Sequence, residues 1–275
     1  MSSSFDPNAA ASAALPPSDS SYVFADSSAE ERDRLRLLAS LLDPIHRKAL
    51  EAAGIASGQT CMEVGAGVGT IAEWMAHQVC PDGHVVASDI NISFLGYLSD
   101  SANLTVRRFD VLADPLPDCA FDIITARALL HHLPAWKTVI ARLAAALKPG
   151  GALVLVEPDA NVGVANPDEV QRRFWSAWCQ WGESAGVDFR LGGKLPKSLE
   201  AAGLEVTSVG MDVPFYPGGS PWADLYLRTL RAAKPRVSAW MNPDLVSAFE
   251  TAYADRASWT FSLGWMAVVG QRGPL

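Results

Sequence analysis

The chain has 275 residues, of which 49% are hydrophobic, and it carries a net charge of −8. This length fits one large domain or a domain with a cap, and no apolar run approaches the ~20 residues that cross a bilayer. The N-terminus lacks the pattern of a secretory signal, and the absence of a basic patch argues against a nucleic-acid partner and favours a small, neutral or cationic one.

The chain begins with residues 1–21, which are rich in Ser, Ala and Pro and carry almost no large apolar groups. This composition predicts a disordered leader, followed by one domain over residues 22–275. Leucines at helical spacing, preceded by two serines that can cap, predict a helical element within residues 22–57. Pro44 is expected to divide this element into two helices, because proline lacks the N–H that a helix interior needs.

From residue 59 onward, strands alternate with helices. Continuous apolar runs predict five strands, at residues 60–67, 84–89, 104–110, 121–127 and 152–159. They are separated by helical patterns at residues 70–79, 92–100 and 134–147. Because most of the strands are apolar along their whole length, the pattern predicts an α/β fold with a parallel sheet that is covered on both faces.

The second half of the chain starts with a long helical pattern at residues 168–186, and strand-like runs follow at residues 204–216 and 265–272. Between these two runs, residues 217–263 form an excursion that is too long for an ordinary loop. Two helical patterns within this excursion predict an α-helical cap inserted over an active site.

A glycine-rich stretch, "EVGAGVGT", lies between the first strand and the helix that follows it. Glycines at Gly65, Gly67 and Gly69 let the backbone turn tightly and approach a ligand with no Cβ in the way. The N–H groups at the start of the following helix are available to the same ligand. Such a loop is by itself also compatible with a dinucleotide site.

Three carboxylates make the prediction more specific. Glu63 precedes the glycine loop, where a negative charge suits a cationic ligand better than a pyrophosphate. Asp89 ends the second strand, where a carboxylate can hold two ribose hydroxyls, and Asp110 ends the third, where one could meet an adenine amino group.

These features resemble the class I S-adenosylmethionine-dependent methyltransferases, in particular the small-molecule branch with a methyltransferase type 11 core. The resemblance covers roughly residues 41–159, and the stretches that carry it are "MEVGAGVGT", "VVASDI", "FDV", "FDIITARALLHHLP" and "LKPGGALVLVEP". It implies a Rossmann-like sheet of seven strands, mostly parallel with the last strand antiparallel. It is specific for fold and cofactor and much less so for the substrate.

The resemblance also implies where S-adenosylmethionine binds. Glu63, Gly65 and Gly67 would line its methionine and sulfonium region, and Arg127 would contribute near the methionine moiety. The remaining cofactor contacts are predicted at Asp89 for the ribose, Ile90, Asp110 and Val111 for the adenine, and Tyr22.

The adjacent histidines His131 and His132 follow the fourth strand, at the edge where open α/β sheets bind ligands. A histidine there can take the proton of an acceptor, and we favour His132 as the base with His131 as its orienting partner. The alternative is that the pair only shapes the loop. The other histidines show no ligand spacing with them and the four cysteines form no CxxC pair, so no metal site is predicted and a reduced, cytoplasmic setting is expected.

The acceptor pocket is predicted from carboxylate and aromatic residues. Glu157, at the end of the fifth strand, could hold an acceptor or orient a histidine. Trp175, Trp178 and Trp222 could form an aromatic wall for a flat acceptor, although residues at such helical spacing also suit a core.

The sequence therefore predicts an enzyme that methylates, most readily on oxygen, a small aromatic or polycyclic acceptor of the kind found in natural-product biosynthesis and secondary metabolism. Three alternatives stay open: a cyclase-type enzyme that does not transfer methyl, an NAD(P)-dependent oxidoreductase, and a cofactor-sensing binding subunit. The oligomeric state is not determined, and a homodimer is one option.

Overall fold

The structure, a computed structural model, describes residues 28–274, with side chains for all of these except residues 99 and 100. The leader predicted at residues 1–21 and the predicted cofactor contact Tyr22 lie outside the described residues. None of the helices in the described range is both long and apolar enough to cross a membrane.

The central feature is a seven-stranded sheet. The strands of the described chain are β1 (Thr60–Val64), β2 (His84–Asp89), β3 (Leu104–Arg108), β4 (Phe121–Arg127), β5 (Leu147–Asp159), β6 (Leu204–Asp212), β7 (Tyr216–Pro217), β8 (Trp259–Thr260) and β9 (Gly264–Arg272). The large sheet has the order β3-β2-β1-β4-β5-β9-β6, and β7 pairs with β8 separately. Only β9 runs antiparallel to its neighbours in the large sheet, which confirms the predicted Rossmann-like arrangement with an antiparallel last strand.

Helices cover both faces of the sheet. They are α1 (Ala29–Ala52), α2 (Thr70–Val79), α3 (Trp136–Ala146), α4 (Asn161–Val164), α5 (Glu169–Ser184), α6 (Leu195–Ala201), α7 (Pro221–Val237) and α8 (Pro243–Ala254). One core contains buried residues of α1, α2, α5, α7 and α8, and a second core on the opposite face contains those of α3 and α6. The strands between them are buried on both sides, as their apolar sequences require.

The site-forming edge of the sheet follows from its strand order. The chain passes from β1 outward to β2 and β3, then returns to place β4 on the other side of β1. Because β1 to β5 are parallel, their carboxyl ends lie at one edge, and the reversal of strand order beside β1 is the place where open sheets of this kind bind ligands. We call this edge the carboxyl rim; it comprises the residues that follow or end these five strands.

The predicted break at Pro44 is wrong, because α1 is one helix of 24 residues with Pro44 inside it. A proline in a helix interior costs about 3 kcal/mol, so other interactions must offset it. Leu42 before the proline and Ile45 after it are both buried against the sheet. Both halves of α1 are therefore packed against the core. A break at Pro44 would expose apolar area that the continuous helix buries.

Several predicted boundaries differ from the structure for local reasons. The first strand ends at Val64 because the glycines that follow adopt positive φ. The sixth ends at Asp212, shortly before Pro214, which cannot donate a ladder hydrogen bond. The pattern at residues 92–100 forms two short 3-10 turns, at Ile92–Phe94 and Gly96–Asp100. The short helices α4 and α6 were not predicted.

The excursion between β6 and β9 contains α7 and α8, in agreement with the two helical patterns. We call residues 217–263 the cap. Helix α7 packs on α1, and α8 packs on α5 and α7. The cap is thereby joined to the same core as the N-terminal helix.

Candidate functional site

The glycine loop connects β1 to α2 at the carboxyl rim. Gly65, Gly67 and Gly69 have φ angles of 74°, 57° and 78°, a region that residues with a Cβ rarely adopt. A Cβ built on Gly67 would meet no atom of the described chain within 4 Å. The backbone at Gly67 therefore borders open space, as close approach of a ligand requires, whereas a Cβ on Gly65 or Gly69 would meet the side chains of Leu129 or Leu98.

Glu63 lies directly before this loop and is 2% exposed. Its Oε2 atom has no hydrogen-bond partner among the described residues. Burial raises the pKa of Glu63 to about 8, although the nearby Arg127 opposes this increase. A buried carboxyl oxygen that lacks a donor is costly, and a ligand with an ammonium group would satisfy it.

Asp89 is held beside the glycine loop by two backbone donors. Its Oδ2 accepts the Gly67 N–H at 2.9 Å, and its Oδ1 accepts the Asn91 N–H at 2.9 Å. Burial is the main cause that raises the pKa of Asp89. The carboxylate is thus fixed in orientation at the end of β2, and its remaining lone pairs can accept from a diol. Ile90, the next residue, is 37% exposed and offers an apolar surface beside it.

Asp110 and Val111 lie after β3, further along the same rim. The Oδ1 of Asp110 accepts the Leu112 N–H at 2.9 Å, and the N–H of Asp110 donates to Asp114 Oδ2 at 2.8 Å. Val111 is buried, and its carbonyl accepts a hydrogen bond from Arg142. Glu63, Asp89 and Asp110 thus lie at or after the ends of three neighbouring strands, β1, β2 and β3, and their contacts with the cofactor stay predictions.

Arg127 ends β4, but its guanidinium is directed to α1. Its Nη1 donates to Asp43 Oδ1 at 2.6 Å, and the same carboxylate oxygen accepts from Thr70 Oγ1 at 3.1 Å. Arg127 still affects the rim electrostatically, since it opposes the raised pKa of Glu63. Direct contact between Arg127 and a ligand stays a prediction.

The two histidines lie in the 3-10 turn Leu130–His132 that follows β4. We call residues 129–132 the histidine turn. His131 is buried, and burial lowers its pKa to about 3. His132 is half-buried, and desolvation, His131 and Arg34 together lower its pKa well below the usual value. Both rings are therefore neutral near pH 7, and their centroids are 3.8 Å apart.

Glu157 is fully buried at the end region of β5 and contacts the histidine turn. Its Oε1 accepts the N–H groups of Leu129 and Leu130 at 3.0 and 2.8 Å. Its Oε2 lies 2.7 Å from Nδ1 of His131 and accepts the N–H of that residue at 3.4 Å. The predicted orienting contact to a histidine is present, whereas contact with a substrate stays a prediction.

The tryptophans predicted as a pocket wall have different environments. Trp175 and Trp178 are buried among other aromatic side chains, with Phe174, Trp181, Phe189 and Phe249 completing the set. We call these six residues the aromatic cluster. Trp222 is half-buried and stacks near Tyr226. The burial of Trp175 and Trp178 favours the alternative interpretation, in which they form core.

Two polar residues of α1 were missed by sequence reasoning. Asp43 holds Arg127, and Nε2 of His46 lies 2.6 Å from Thr125 Oγ1 on β4. Both residues fall on the face of α1 that also buries Leu42 and Ala49. Polar residues on an otherwise apolar helix face were the available signal, because buried polar groups need specific partners.

The described residues contain no group of three or more His, Cys, Asp or Glu side chains that could hold a metal ion. The rim instead presents carboxylates, backbone N–H groups and neutral imidazoles. Such a set can bind a cation or an alcohol and can accept a proton, without a metal ligand set.

Comparisons with known proteins agree with this geometry. A family model described as "Methyltransferase domain" matches residues 30–209. The ubiquinone/menaquinone biosynthesis C-methyltransferase UbiE of Saccharophagus degradans is 31% identical over 115 residues, which is 39% of this chain and 46% of that protein. The chain thus spans about half the length of the curated relatives it matches.

Two solved structures share the fold at low sequence identity. The 4+2 cyclase SpnF has a TM-score of 0.56 and 19% identity, covering 85% of this chain and 81% of SpnF. The geranyl diphosphate C-methyltransferase of Streptomyces coelicolor A3(2), solved with S-adenosyl-L-homocysteine, has a TM-score of 0.54 and 14% identity, covering 98% and 94%. At these identities the likeness supports the fold alone.

Proposed function

The chain belongs to the methyltransferase domain family, and from this premise we propose that it transfers a methyl group from S-adenosylmethionine to a small acceptor. The observation that carries the proposal is the buried Oε2 of Glu63, which has no donor among the described residues and lies directly before the glycine loop, whose backbone borders open space at Gly67. The amino group of the cofactor's methionine part has the charge and hydrogen-bonding capacity to satisfy that oxygen.

In the proposed complex, Gly65 and Gly67 allow the ligand to reach the loop backbone, and Asp89 accepts from the ribose hydroxyls. Ile90, Asp110 and Val111 surround the adenine. When bound, the cofactor supplies a methyl group that its positive sulfur already activates. The protein then has to orient the acceptor, exclude water and remove a proton.

His132 is the proposed base. Its neutral ring can accept a proton, and a base typically contributes ~10²–10⁴-fold to rate. A strongly lowered pKa makes it a weak base, so the acceptor hydroxyl should be acidic, as a phenol or enol is with a pKa near that of Tyr at about 10. This supports oxygen methylation of an aromatic or polycyclic natural-product-like acceptor, with the half-buried Trp222 of the cap as its proposed aromatic contact.

A direct test is calorimetric titration with S-adenosylhomocysteine and, separately, with NADH. We expect micromolar binding of S-adenosylhomocysteine and none of NADH; the reverse result would support the oxidoreductase alternative. No binding of either compound would overturn the proposal.

The acceptor class is tested by release of S-adenosylhomocysteine from S-adenosylmethionine in the presence of phenols, enols, aliphatic alcohols and amines. Turnover of phenols or enols that His132→Asn reduces at least about a hundredfold, with unchanged S-adenosylhomocysteine affinity, is the expected result. Turnover that His132→Asn does not affect would remove the histidine base.

A cyclase-type reaction remains the second candidate, because the SpnF structure shows that this fold is found in an enzyme described as a cyclase. It would convert a substrate without forming S-adenosylhomocysteine. Product analysis therefore separates the two candidates in the same assay.

A further inference from the structure

The histidine turn lies at the carboxyl rim and joins a contact with the glycine loop to the residue proposed as the base. At its start, the side chain of Leu129 lies 3.1 Å from the position of a Cβ built on Gly65. At its end is His132, the proposed base. A displacement of this turn would therefore disturb the glycine loop and the acceptor side together.

A single carboxylate binds the turn from the neighbouring strand. Glu157 accepts the N–H groups of three consecutive residues, Leu129, Leu130 and His131, and lies 2.7 Å from the His131 ring. No further ionisable side chain in the described chain lies within ion-pair distance of Glu157, and the ring of His131 beside it is neutral near pH 7. An isolated carboxyl group buried this deeply is costly, so the turn must stay wrapped around it.

The backbone beside the turn is strained. Ala128 has a φ of 50°, which a residue with a Cβ rarely adopts, and its N–H donates to Val156 O at 2.9 Å. Strain of this kind persists only where the surroundings over-determine the conformation. The bonds to Glu157, one residue after Val156, provide that constraint. On the other side, the N–H of Asp188 donates to His131 O at 2.7 Å.

We infer that Glu157 is a positioning residue, which holds the histidine turn so that Leu129 supports the glycine loop and His132 faces the acceptor. The purpose that we assign to the turn rests on the proposed function. The contacts of Glu157 with the turn are independent of it. Glu157 acts through backbone N–H groups and the His131 ring, and no substrate contact is needed.

Three variants test this inference. Glu157→Gln keeps the shape but replaces one acceptor oxygen by a donor that faces N–H groups, Glu157→Ala removes all the bonds, and His131→Asn removes the ring contact alone. Glu205→Gln, at an exposed position on β6, is the matched control. Affinity for S-adenosylhomocysteine is measured by calorimetry, backbone exchange at residues 129–131 by hydrogen–deuterium exchange, and the state of the rings by ¹⁵N NMR.

We expect Glu157→Gln to weaken S-adenosylhomocysteine binding about tenfold, the effect of one buried donor or acceptor left unpaired. Amides of residues 129–131 should exchange at least about tenfold faster for the same reason. The ring of His132 should titrate closer to its ordinary range, because a released turn is hydrated. His131→Asn should cause smaller changes in the same direction, and Glu205→Gln should cause none.

The ring titration separates positioning from a general loss of stability, which would lower the melting temperature without changing His132 in the folded protein. If Glu157→Ala does not fold, Glu157→Gln and His131→Asn still decide the question. If Glu157→Gln shows the same amide exchange, ring titration and S-adenosylhomocysteine affinity as the wild type, the inference is overturned. Absence of S-adenosylhomocysteine binding by the wild type would instead overturn the proposed function, while exchange and ring titration would still test the turn.

Discussion

The carboxyl rim and the aromatic cluster both contain fully buried side chains, yet the space around those side chains is filled differently. In the rim, Oε2 of Glu63 has no donor among the described residues and lies beside a loop that borders open space at Gly67. The aromatic cluster is filled by its own rings, with Phe174 and Phe249 stacked at a centroid distance of 3.5 Å. The rim is therefore arranged for a ligand that is not part of the chain, whereas the cluster is arranged for stability. Burial alone does not identify a binding site, and neither does an unpartnered polar atom, since Nε1 of Trp175 in the cluster also lacks a partner among the described residues. What distinguishes the rim is an unpartnered carboxyl oxygen next to backbone that borders open space.

The largest expected effect is on stability, from Trp175→Ala. Removing this buried ring should lower the free energy of unfolding by about 3–5 kcal/mol, because the cavity adds to the lost transfer energy. Urea unfolding measures the change. The control Trp259→Ala, at a site that is 58% exposed, should change stability by about 0.5 kcal/mol or less. S-adenosylhomocysteine affinity should survive in folded Trp175→Ala; a selective loss of affinity would place Trp175 in the site.

For Glu63→Ala we expect lower affinity with retained stability, which is the reverse of the result expected for Trp175→Ala. Affinity for S-adenosylhomocysteine should fall by about 2–3 kcal/mol, the value of a charge-assisted hydrogen bond together with its buried partner. Stability should not fall, since the variant removes a carboxyl group that is costly to bury. Calorimetry measures the change in affinity, and urea unfolding measures the change in the free energy of unfolding. Glu73→Ala, exposed on α2, is the control, and equal affinities for the two variants would contradict the contrast between rim and cluster.

The raised pKa of Glu63 predicts how affinity and stability depend on pH. Binding an ammonium group favours the ionised carboxylate, so affinity should rise up to about tenfold per pH unit below about 8 and level off above it. Binding at pH 7 should release a proton, and the apparent enthalpy should therefore differ between phosphate and Tris buffers.

The same group destabilises the folded state as pH increases. Its folded pKa of about 8 exceeds the ordinary 4.5, so the contribution of Glu63 to stability is complete below 4.5 and is lost as pH rises toward 8. Glu63→Gln should abolish both the affinity profile and the proton release. Persistence of either in that variant would assign the titration to another group.

The smallest expected effect is that of Trp222→Ala, on helix α7 of the cap, where Trp222 stacks near Tyr216 and Tyr226. Trp222 is half-buried, so stability should fall by only about 1 kcal/mol. If Trp222 contacts the acceptor, KM for a phenolic acceptor should increase while S-adenosylhomocysteine affinity stays unchanged. Unchanged KM would assign all three predicted tryptophans to packing.

Much of the sheet and the position of the glycine loop could be predicted from the sequence because both depend on local constraints. A strand buried on two faces must be apolar throughout, so β2 and β4 were predicted with the bounds that they have. Positive φ requires glycine, so the loop after β1 could be located from Gly65, Gly67 and Gly69.

The tertiary structure decided what the same side chains contact. A sequence pattern does not show that Arg127 binds Asp43 of α1, that Glu157 accepts from the histidine turn, or that Trp175 packs edge-on against Phe249. Nor did it show that α1 continues through Pro44. Each outcome depends on contacts between elements that are distant in sequence, and these contacts compensate local costs of burial and broken hydrogen bonds that no local pattern records.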